Sequence, residues 1–221
     1  MCAHYESLKQ GDRLARYFGV SEVPPGARTD VWPGYRSIFL RRKTAGAQAS
    51  AQGVLREAVV GVFGLLPHWA KELRFARHTY NARSETAPEK PSFRDAWRKG
   101  QRCIVPAEAI FEPDWRSGKA VAARIHLRDG SPMGLAGLWS CWRGGSGEPV
   151  ESFTLLTINA DTHSFMRNYH RPHDEKRMVV VLHRSDYDAW LGEGKPPEVL
   201  RPIHAEELVC DPTREAAGRA P

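Results

Sequence analysis

Short apolar runs separated by turn residues dominate the chain, and they predict more strand than helix. The clearest run covers residues 58–66, which are rich in valine and leucine and are followed by Pro67. A short β-branched run that ends at a proline is typical of a buried strand. Similar patterns predict further strands at 36–41, 102–105, 109–112, 121–127, 133–140, 153–158 and 177–182.

Helical patterns are fewer and shorter. Leu14, Tyr17 and Phe18 recur at helical spacing, and Gly19 follows them as a stop signal. Ser92 and Ser185 are good N-caps for two later helices. The predicted helices cover residues 7–19, 92–99, 161–168 and 186–191, whereas the Pro- and Gly-rich residues 20–36 and the small polar residues 42–53 predict irregular segments.

Many short strands with few helices predict an α+β fold, in which short helices flank a mixed or partly closed β-sheet core. The length of 221 residues fits one domain. We place this domain at residues 1–210 and expect a polar, flexible tail at 211–221.

Composition and charge narrow the class of protein. At 41% hydrophobic and 26% charged residues, the chain is globular rather than a low-complexity segment. Its longest apolar run, 58–66, falls far short of the roughly 20 residues that span a membrane, and its first residues show no apolar leader. We therefore expect a cytoplasmic protein. The net charge of +6 and the pI of about 9.3 permit a polyanionic partner such as nucleic acid.

The four cysteines argue for free thiols. Cys2, Cys103, Cys141 and Cys210 show no C-x-x-C spacing, which disfavours a zinc ribbon or finger, and a reducing compartment disfavours disulfides. We expect neither a metal nor a cofactor. One alternative metal site can be drawn from His163, His170, His173 and Asp174, although no second cluster supports it.

Cys2 carries the most chemical information. Removal of the initiator methionine in front of a small residue would leave an N-terminal cysteine with an amine and a thiol on one residue. The amine has a pKa near 8, so part of it is neutral and nucleophilic at pH 7. Such a 1,2-aminothiol traps an aldehyde first as an imine and then as a five-membered thiazolidine. The alternative is that Cys2 lies beside the start by accident.

An ordered series of motifs gives this residue a context. Its members are Met-Cys-x-x-Tyr at 1–5, Gly-Leu-Leu-Pro-His-Trp-Ala at 64–70, Asn-Ala-Arg-Ser-Glu-Thr-Ala at 81–87, Arg-Cys-Ile-Val-Pro-Ala at 102–107 with Phe111-Glu112, Ala-Gly-Leu-Trp at 136–139, Phe-Thr-Leu-Leu-Thr at 153–157, and His173 ahead of Lys176-Arg177-Met178-Val179. The series resembles the SOS response-associated peptidase (SRAP) family of abasic-site DNA–protein crosslinking proteins, over roughly residues 1–190.

The resemblance implies a specific function. Members of the family bind single-stranded DNA, or single-strand/double-strand junctions, in which an abasic site exposes an aldehyde. The processed N-terminal cysteine captures that aldehyde in a DNA-binding groove. Self-removal of Met1 gives the family its peptidase name, and an AP-lyase-like cleavage belongs to its repertoire. On this basis we expect a monomer that acts in the DNA-damage response without an obligatory protein partner, a membrane or a cofactor, and that is nucleoid-associated when bound.

The resemblance also assigns a catalytic set. Cys2 matches the nucleophile, Asn81 the active-site asparagine, and Glu112 a glutamate that shuttles protons. Glu108 competes with Glu112, which we prefer because Phe111 precedes it. The alternative for Asn81 is a structural cap of a turn.

A histidine with a pKa near neutrality suits proton transfer in the crosslink and in its reversal. His173 begins the His-Asp-x-Lys-Arg-Met pattern and is therefore the preferred match. His170 and His163 are its competitors.

The candidate DNA contacts lie in two of the motifs. Arg83 is expected to pair with a phosphate, and Glu85 is expected to orient it. Trp69 is expected to stack on a base or to wedge a junction open. The alternatives are a structural ion pair for Arg83 and Glu85, and a core position for Trp69.

A basic rim and two departures from the family pattern complete the set. Arg77, with Lys71 and Arg74, precedes Asn81 and can supply positive charge to the groove. Ala3 replaces the usual glycine, which restricts the backbone beside the nucleophile. His4 replaces an arginine that contacts DNA phosphate, so we expect a weaker or pH-dependent contact.

Two other functions stay open from the sequence. A non-covalent module that binds single-stranded or modified DNA would not use Cys2. A thiol peptidase acting on other proteins would use Cys2 and His173 as a dyad.

Overall fold

The computed structural model describes residues 2–9, 11–20, 22–43, 54–144, 147–192 and 198–211. The strands are β1 (His4–Glu6), β2 (Asp30–Val31), β3 (Arg36–Arg42), β4 (Arg56–Phe63), β5 (Asn81–Arg83), β6 (Arg102–Ala107), β7 (Ala109–Asp114), β8 (Val121–Leu127), β9 (Met133–Arg143), β10 (Pro149–Asn159), β11 (Arg177–Val179), β12 (Val181–Leu182) and β13 (Leu208–Cys210). The α-helices are α1 (Gly11–Phe18), α2 (Arg94–Arg98) and α3 (Tyr187–Leu191). Short 3-10 helices cover Leu73–His78, Met166–Asn168, Arg184–Asp186 and Ala205–Glu207.

The larger, 8-stranded sheet closes on itself in part. Strands β10, β4, β3, β6 and β9 form a ring, because β9 pairs with both β6 and β10. The β10–β4 pairing is parallel, and the other pairings in the ring are antiparallel. Strands β5 and β11 continue alongside β10, and β12 lies on β9. The expected α+β fold with a mixed, partly closed sheet is confirmed.

The smaller sheet contains β1, which holds the first described residues of the chain in the protein interior. Its order is β13-β8-β7-β1-β2, with every pairing antiparallel. His4 and Tyr5 in β1 pair with Phe111 and Ile110 in β7, so Cys2 lies close to the middle of β7. Only Glu108 separates β7 from β6, which belongs to the barrel. Both sheets therefore meet around the first residues of the chain.

A single apolar cluster joins the two sheets. Phe39, Phe63 and Phe153 are buried in the barrel, where the ring of Phe153 contacts the rings of the other two. Tyr5 from the smaller sheet meets Phe63 edge to face at 5.4 Å between ring centroids. Aromatic contacts of this kind add about 0.5–1.5 kcal/mol to the burial of their apolar area. The packing fixes β1, and therefore Cys2, relative to the barrel.

Most of the predicted strands are confirmed, with ends shifted by a few residues. The run at 177–182 is divided instead, since Val180 bonds through its N–H to Leu156 in β10 and through its C=O to Ala136 in β9. The helix predicted at 161–168 is wrong except for the 3-10 turn Met166–Asn168. The strands β1, β2, β5 and β13 lack a sequence pattern because each has only two or three residues.

The first and last helices begin later than their patterns predict. Ser7 donates its N–H to Thr29 O and continues the β1–β2 pairing, so α1 begins at Gly11. A 3-10 turn precedes α3, which begins at Tyr187. The predicted tail beyond residue 211, and most of the loop at 42–53, lie outside the described residues. None of the described helices is long and apolar enough to cross a membrane.

Gly64 directly follows β4, and its backbone packs closely against the backbone of Ala76. Its φ is +125°, and a Cβ at this position would lie 1.9 Å from Ala76 O. We predict that Gly64→Ala lowers the free energy of unfolding by more than about 3 kcal/mol. Gly118→Ala is the control, because its φ is +81° with no atom within 4 Å, and it should cost only about 1 kcal/mol. Urea denaturation of both variants measures the difference, and equal losses would contradict the steric explanation.

Candidate active site

Cys2 lies in the protein interior, two residues before the start of β1. Its side chain is 1% exposed, its thiol is 3.4 Å from His4 O, and it is near enough to Glu112 to feel the charge of that carboxylate. Burial raises the pKa of the thiol far above its ordinary value, and the charge of Glu112 raises it further. The thiol is therefore neutral at pH 7 and needs a base to become a nucleophile.

Glu112 supplies a carboxyl group next to that thiol. It lies in β7 opposite Ala123 of β8 and is 1% exposed. Burial raises the pKa of Glu112 to about 7. A carboxyl group with this pKa exists in both forms at neutral pH, so it can accept and return a proton.

His170 is the histidine that the structure brings to this pair. Its Nδ1 lies 3.5 Å from Glu112 Oε2, and its ring is 7% exposed. Its φ of +69° is left-handed, which is costly for a residue with a side chain. A bond from His170 N to Pro113 O and a β-bridge between Tyr169 and Asp114 hold this conformation. Burial lowers the pKa of His170, so the ring is neutral at pH 7.

The other two candidate histidines lie elsewhere. His173 is exposed, three residues beyond His170 in the loop that leads to β11. His163 donates through Nε2 to Ile203 O at 2.8 Å and accepts through Nδ1 from the N–H groups of Phe165 and Met166. The contact with Glu112 therefore belongs to His170 and not to His173, the preferred match in the sequence.

Asn81 begins β5, which runs parallel to β10. Its side-chain amide donates to Tyr80 O at 2.9 Å. Its Oδ1 is buried and has no hydrogen-bond partner among the described residues. An amide oxygen in this state is an unused acceptor in the protein interior.

Tyr80 is a site residue that the sequence did not suggest. Burial raises its pKa, and the charges of Cys2 and Glu112 raise it further, which places the phenol in their electrostatic neighbourhood. Its ring also meets Phe63 edge to face at 5.9 Å. The only signal in the sequence is its position directly before the motif at 81–87.

His4 is enclosed between two aromatic rings. Trp32 and Phe111 stack on its opposite faces, each at 4.0 Å between centroids. Its Nε2 lies 2.5 Å from Asp30 Oδ1. The expected open contact with DNA phosphate is therefore not available in this arrangement, because ring faces and Nε2 are already in use.

The second candidate DNA motif forms a network of ion pairs. Arg83 pairs with Glu175 at 2.8 Å and remains half exposed. Glu85 pairs with Arg177 and not with Arg83, through two hydrogen bonds of 3.0 and 2.8 Å. Glu85 therefore does not orient Arg83 as expected, and the structural ion-pair interpretation describes Glu85 better.

The chain segment before Asn81 carries exposed aromatic and basic side chains. Trp69 is 44% exposed and meets Phe75 edge to face, which excludes the alternative of a core position. Arg77 is exposed beside the Gly34 loop. Lys71 and Arg74 are exposed as well, although Arg74 is paired with Glu72.

Within the described part of the chain, no three His, Cys, Asp or Glu side chains are grouped to hold a metal ion. The alternative metal site proposed from His163, His170, His173 and Asp174 is not assembled, since His173 and Asp174 are exposed and His163 bonds to backbone groups. The site contains three neighbouring groups, which are a buried thiol, a carboxyl group next to it and an imidazole that contacts the carboxyl group. This arrangement can move protons to and from a sulfur nucleophile.

The chain is similar to several proteins that are named abasic site processing proteins. The Abasic site processing protein YoqW of Bacillus subtilis (strain 168) is 31% identical over 217 residues, which cover 94% of this chain and 90% of that protein. The Abasic site processing protein YoaM of the same strain is 32% identical, over 64% of this chain and 60% of YoaM. The Abasic site processing protein HMCES of Gallus gallus is 28% identical, and this match spans 49% of its length.

Solved structures share the fold. A crystal structure of a protein from Bordetella bronchiseptica superimposes with a TM-score of 0.85 and 41% identity, covering 97% of this chain and all of that chain. A second structure, from Bacteroides thetaiotaomicron, has a TM-score of 0.75 at 23% identity and shows the fold alone. The family model described as SOS response associated peptidase (SRAP) matches residues 1–219. The chain therefore belongs to the SRAP family.

Proposed function

We propose that this protein processes abasic sites in DNA, and that Cys2 captures the aldehyde of the site covalently. The observation that carries the proposal is the buried Cys2 thiol beside Glu112, a carboxyl group whose pKa is about 7. The relatives named abasic site processing proteins support the substrate class.

The reaction begins with hydrolytic self-removal of Met1, which frees the α-amine of Cys2. That amine attacks C1′ of the open-chain sugar, and loss of water gives an imine. The sulfur then adds to the imine carbon, while the thiol proton ends on the nitrogen. The product is a thiazolidine that joins protein and DNA. Removal of Met1 consumes one water, capture of the aldehyde releases one, and no oxidant or reductant is needed.

Glu112 and His170 move the protons in these steps. The acid form of Glu112 first donates a proton to the hydroxyl that leaves the carbinolamine as water, and the resulting carboxylate then accepts the proton of the Cys2 thiol. The neutral ring of His170 contacts Glu112 at 3.5 Å and holds a proton in turn. We assign this role to His170 because His173 is exposed and His170 contacts the carboxyl group.

Asn81 orients the reacting groups. Its buried Oδ1 can accept a hydrogen bond from the Cys2 amine or from the deoxyribose hydroxyl, and it adds no charge. The same imine can lose a proton at C2′ and release the 3′ phosphate, which is the lyase reaction expected of the family. We propose it as a secondary activity.

The DNA approaches along the surface that carries Trp69, Arg77 and Arg83. Arg83 offers a half-exposed guanidinium for a phosphate, and Trp69 offers an exposed indole on which a base can stack. We propose single-stranded DNA, or a junction, as the partner of a monomer. We place the protein in the cytoplasm and, when it is bound, on nucleoid DNA during the response to damage.

We predict that Arg83→Ala weakens binding of single-stranded DNA about tenfold and lowers the magnitude of the salt dependence by about one phosphate contact. The matched control is Arg201→Ala, since Arg201 is 49% exposed and paired with Asp186 just as Arg83 is 50% exposed and paired with Glu175. Fluorescence anisotropy over a range of salt concentrations measures both effects. Equal affinities of the two variants would remove Arg83 from the interface.

The function is tested by incubating the protein with three oligonucleotides that differ at one position. One carries an abasic site, one a borohydride-reduced abasic site, and one an intact nucleotide. A band of slow mobility on a denaturing gel should form with the first alone, because the other two lack an aldehyde. Binding of all three without such a band would favour a non-covalent DNA-binding module, and peptide cleavage without DNA would favour a thiol peptidase.

A further inference from the structure

We propose that Glu85 is a positioning residue for His170 and that it acts through Arg177. The inference rests on the proposed function, because it explains how His170 is oriented toward Glu112. In this role Glu85 orients Arg177 and, through it, His170, whereas its motif led us to expect that it orients Arg83.

The first link joins His170 to the backbone of Arg177. His170 Nε2 lies 2.8 Å from Arg177 O. A carbonyl oxygen can only accept a hydrogen bond, so Nε2 must carry a proton. In the neutral ring the lone pair is then on Nδ1, which is the nitrogen that contacts Glu112. The Arg177 carbonyl therefore selects the tautomer that can receive a proton from Glu112.

The second link fixes Arg177 itself. Its side chain is only 4% exposed, yet its guanidinium stays charged at any working pH. Glu85 binds it in bidentate fashion at 3.0 and 2.8 Å, and Nη2 also donates to Thr157 O at 2.8 Å. Glu175 adds one bond of 2.9 Å to Nη1. Glu85 thus provides the two-point contact that fixes the plane of the guanidinium.

The backbone at the start of β11 is held by its pairing with β10, where Arg177 lies opposite Asn159, and by a hydrogen bond from Ala160 N to Lys176 O. Residues 171–175 are exposed and form no helix or strand, and β11 begins at Arg177. His170 is held at its other side by the bond to Pro113 O. With Glu85 removed, the buried cation loses its bidentate partner and keeps only Glu175 and Thr157, so we expect the start of β11 to shift. The carbonyl that receives Nε2–H shifts with it.

A direct role of Glu85 in DNA binding makes a different prediction. A carboxylate repels phosphate, so its removal from a DNA surface would leave the affinity unchanged or raise it. A positioning role alters the ring of His170 even when no DNA is present. The tautomer of His170 therefore separates the two explanations.

The test compares Glu85→Gln with wild type by nitrogen-15 NMR of the histidine rings without DNA, with the His170→Ala spectrum as the assignment. We expect wild type to hold the Nε2–H tautomer, and Glu85→Gln to show a mixture and a displaced titration. Glu85→Asp should retain most of the wild-type signal. Glu57→Gln is the control, because Glu57 pairs with Arg41 at 2.6 Å on the barrel. A tautomer ratio and titration equal to wild type in Glu85→Gln would overturn the proposal.

The rate of adduct formation provides a second test of the positioning role of Glu85. The rate of adduct formation in Glu85→Gln should fall about tenfold, a part of what general acid–base catalysis contributes, while the Kd for a reduced abasic oligonucleotide stays unchanged. An unchanged rate would contradict the positioning role. If wild type forms no adduct at all, the proposed function fails, but the NMR comparison still decides whether Glu85 orients His170.

Discussion

We expect replacement of Cys2 by alanine to abolish the proposed covalent capture of abasic-site DNA and to leave the Kd for a reduced abasic oligonucleotide within about twofold of wild type. The Cys2 thiol lies beside Glu112 and is neutral at pH 7, so it forms no ion pair with a phosphate. Its removal therefore takes away the nucleophile and leaves Arg83 and Trp69 in place. Denaturing gels measure the adduct, and fluorescence anisotropy measures the affinity.

Cys141→Ala is the matched control for this loss. Cys141 is a free and exposed thiol in β9, so a reaction that needs only an accessible thiol would use it readily. We expect Cys141→Ala to crosslink at the wild-type rate. An adduct that persists in Cys2→Ala and disappears in Cys141→Ala would reverse the assignment.

Glu112→Gln has the second large effect, a fall in the rate of adduct formation of about 100-fold or more. Glutamine keeps the shape and the hydrogen-bonding oxygen of Glu112 but cannot exchange a proton. In wild type the rate should rise as the pH passes about 7, because the carboxylate form accepts the thiol proton. The rise in the rate near pH 7 should be absent in Glu112→Gln, while the rise near pH 8 that comes from the α-amine remains. A pH profile identical to wild type would exclude Glu112 from the mechanism.

Stability gives an independent readout of the same carboxyl group. The pKa of Glu112 is about 7 in the folded protein against an ordinary value of 4.5, so the folded state holds the proton more tightly. The stabilisation that protonated Glu112 gives to the folded state is fully present below pH 4.5. It is lost as the pH rises to about 7, which lowers the free energy of unfolding by about 3 kcal/mol. Glu112→Gln lacks this loss, so its stability relative to wild type should increase between pH 5 and pH 8. Urea denaturation at the two pH values measures the difference.

The sequence predicts the reactive groups better than their arrangement. Cys2 and Glu112 follow from motifs, and the structure places both in one buried contact. The preference for His170 over His173 that we propose does not follow from the sequence, because it depends on a left-handed turn at His170 and on a loop that carries His173 to the surface. Spacing along the chain contains no information about such a turn.

Long-range pairing explains the remaining differences. Glu85 and Arg83 are neighbours in one motif, yet each pairs with a partner near β11. Likewise, the three-residue strand β1 exists because β7 and β2 pair with it on both sides, and three residues carry no periodic pattern of their own. The long strands of the barrel were predictable, because their buried positions appear in the sequence as runs of apolar residues.

The central claim is that Cys2, freed of Met1, joins the aldehyde of an abasic site. Intact-protein mass spectrometry tests it most directly, before and after incubation with a single-stranded oligonucleotide that carries one abasic site. We predict a protein that lacks the mass of Met1 and then gains the mass of the oligonucleotide minus one water, with the modification mapped to Cys2 after digestion. A protein with a free N-terminal Cys2 that gains no mass under the same conditions would contradict the claim.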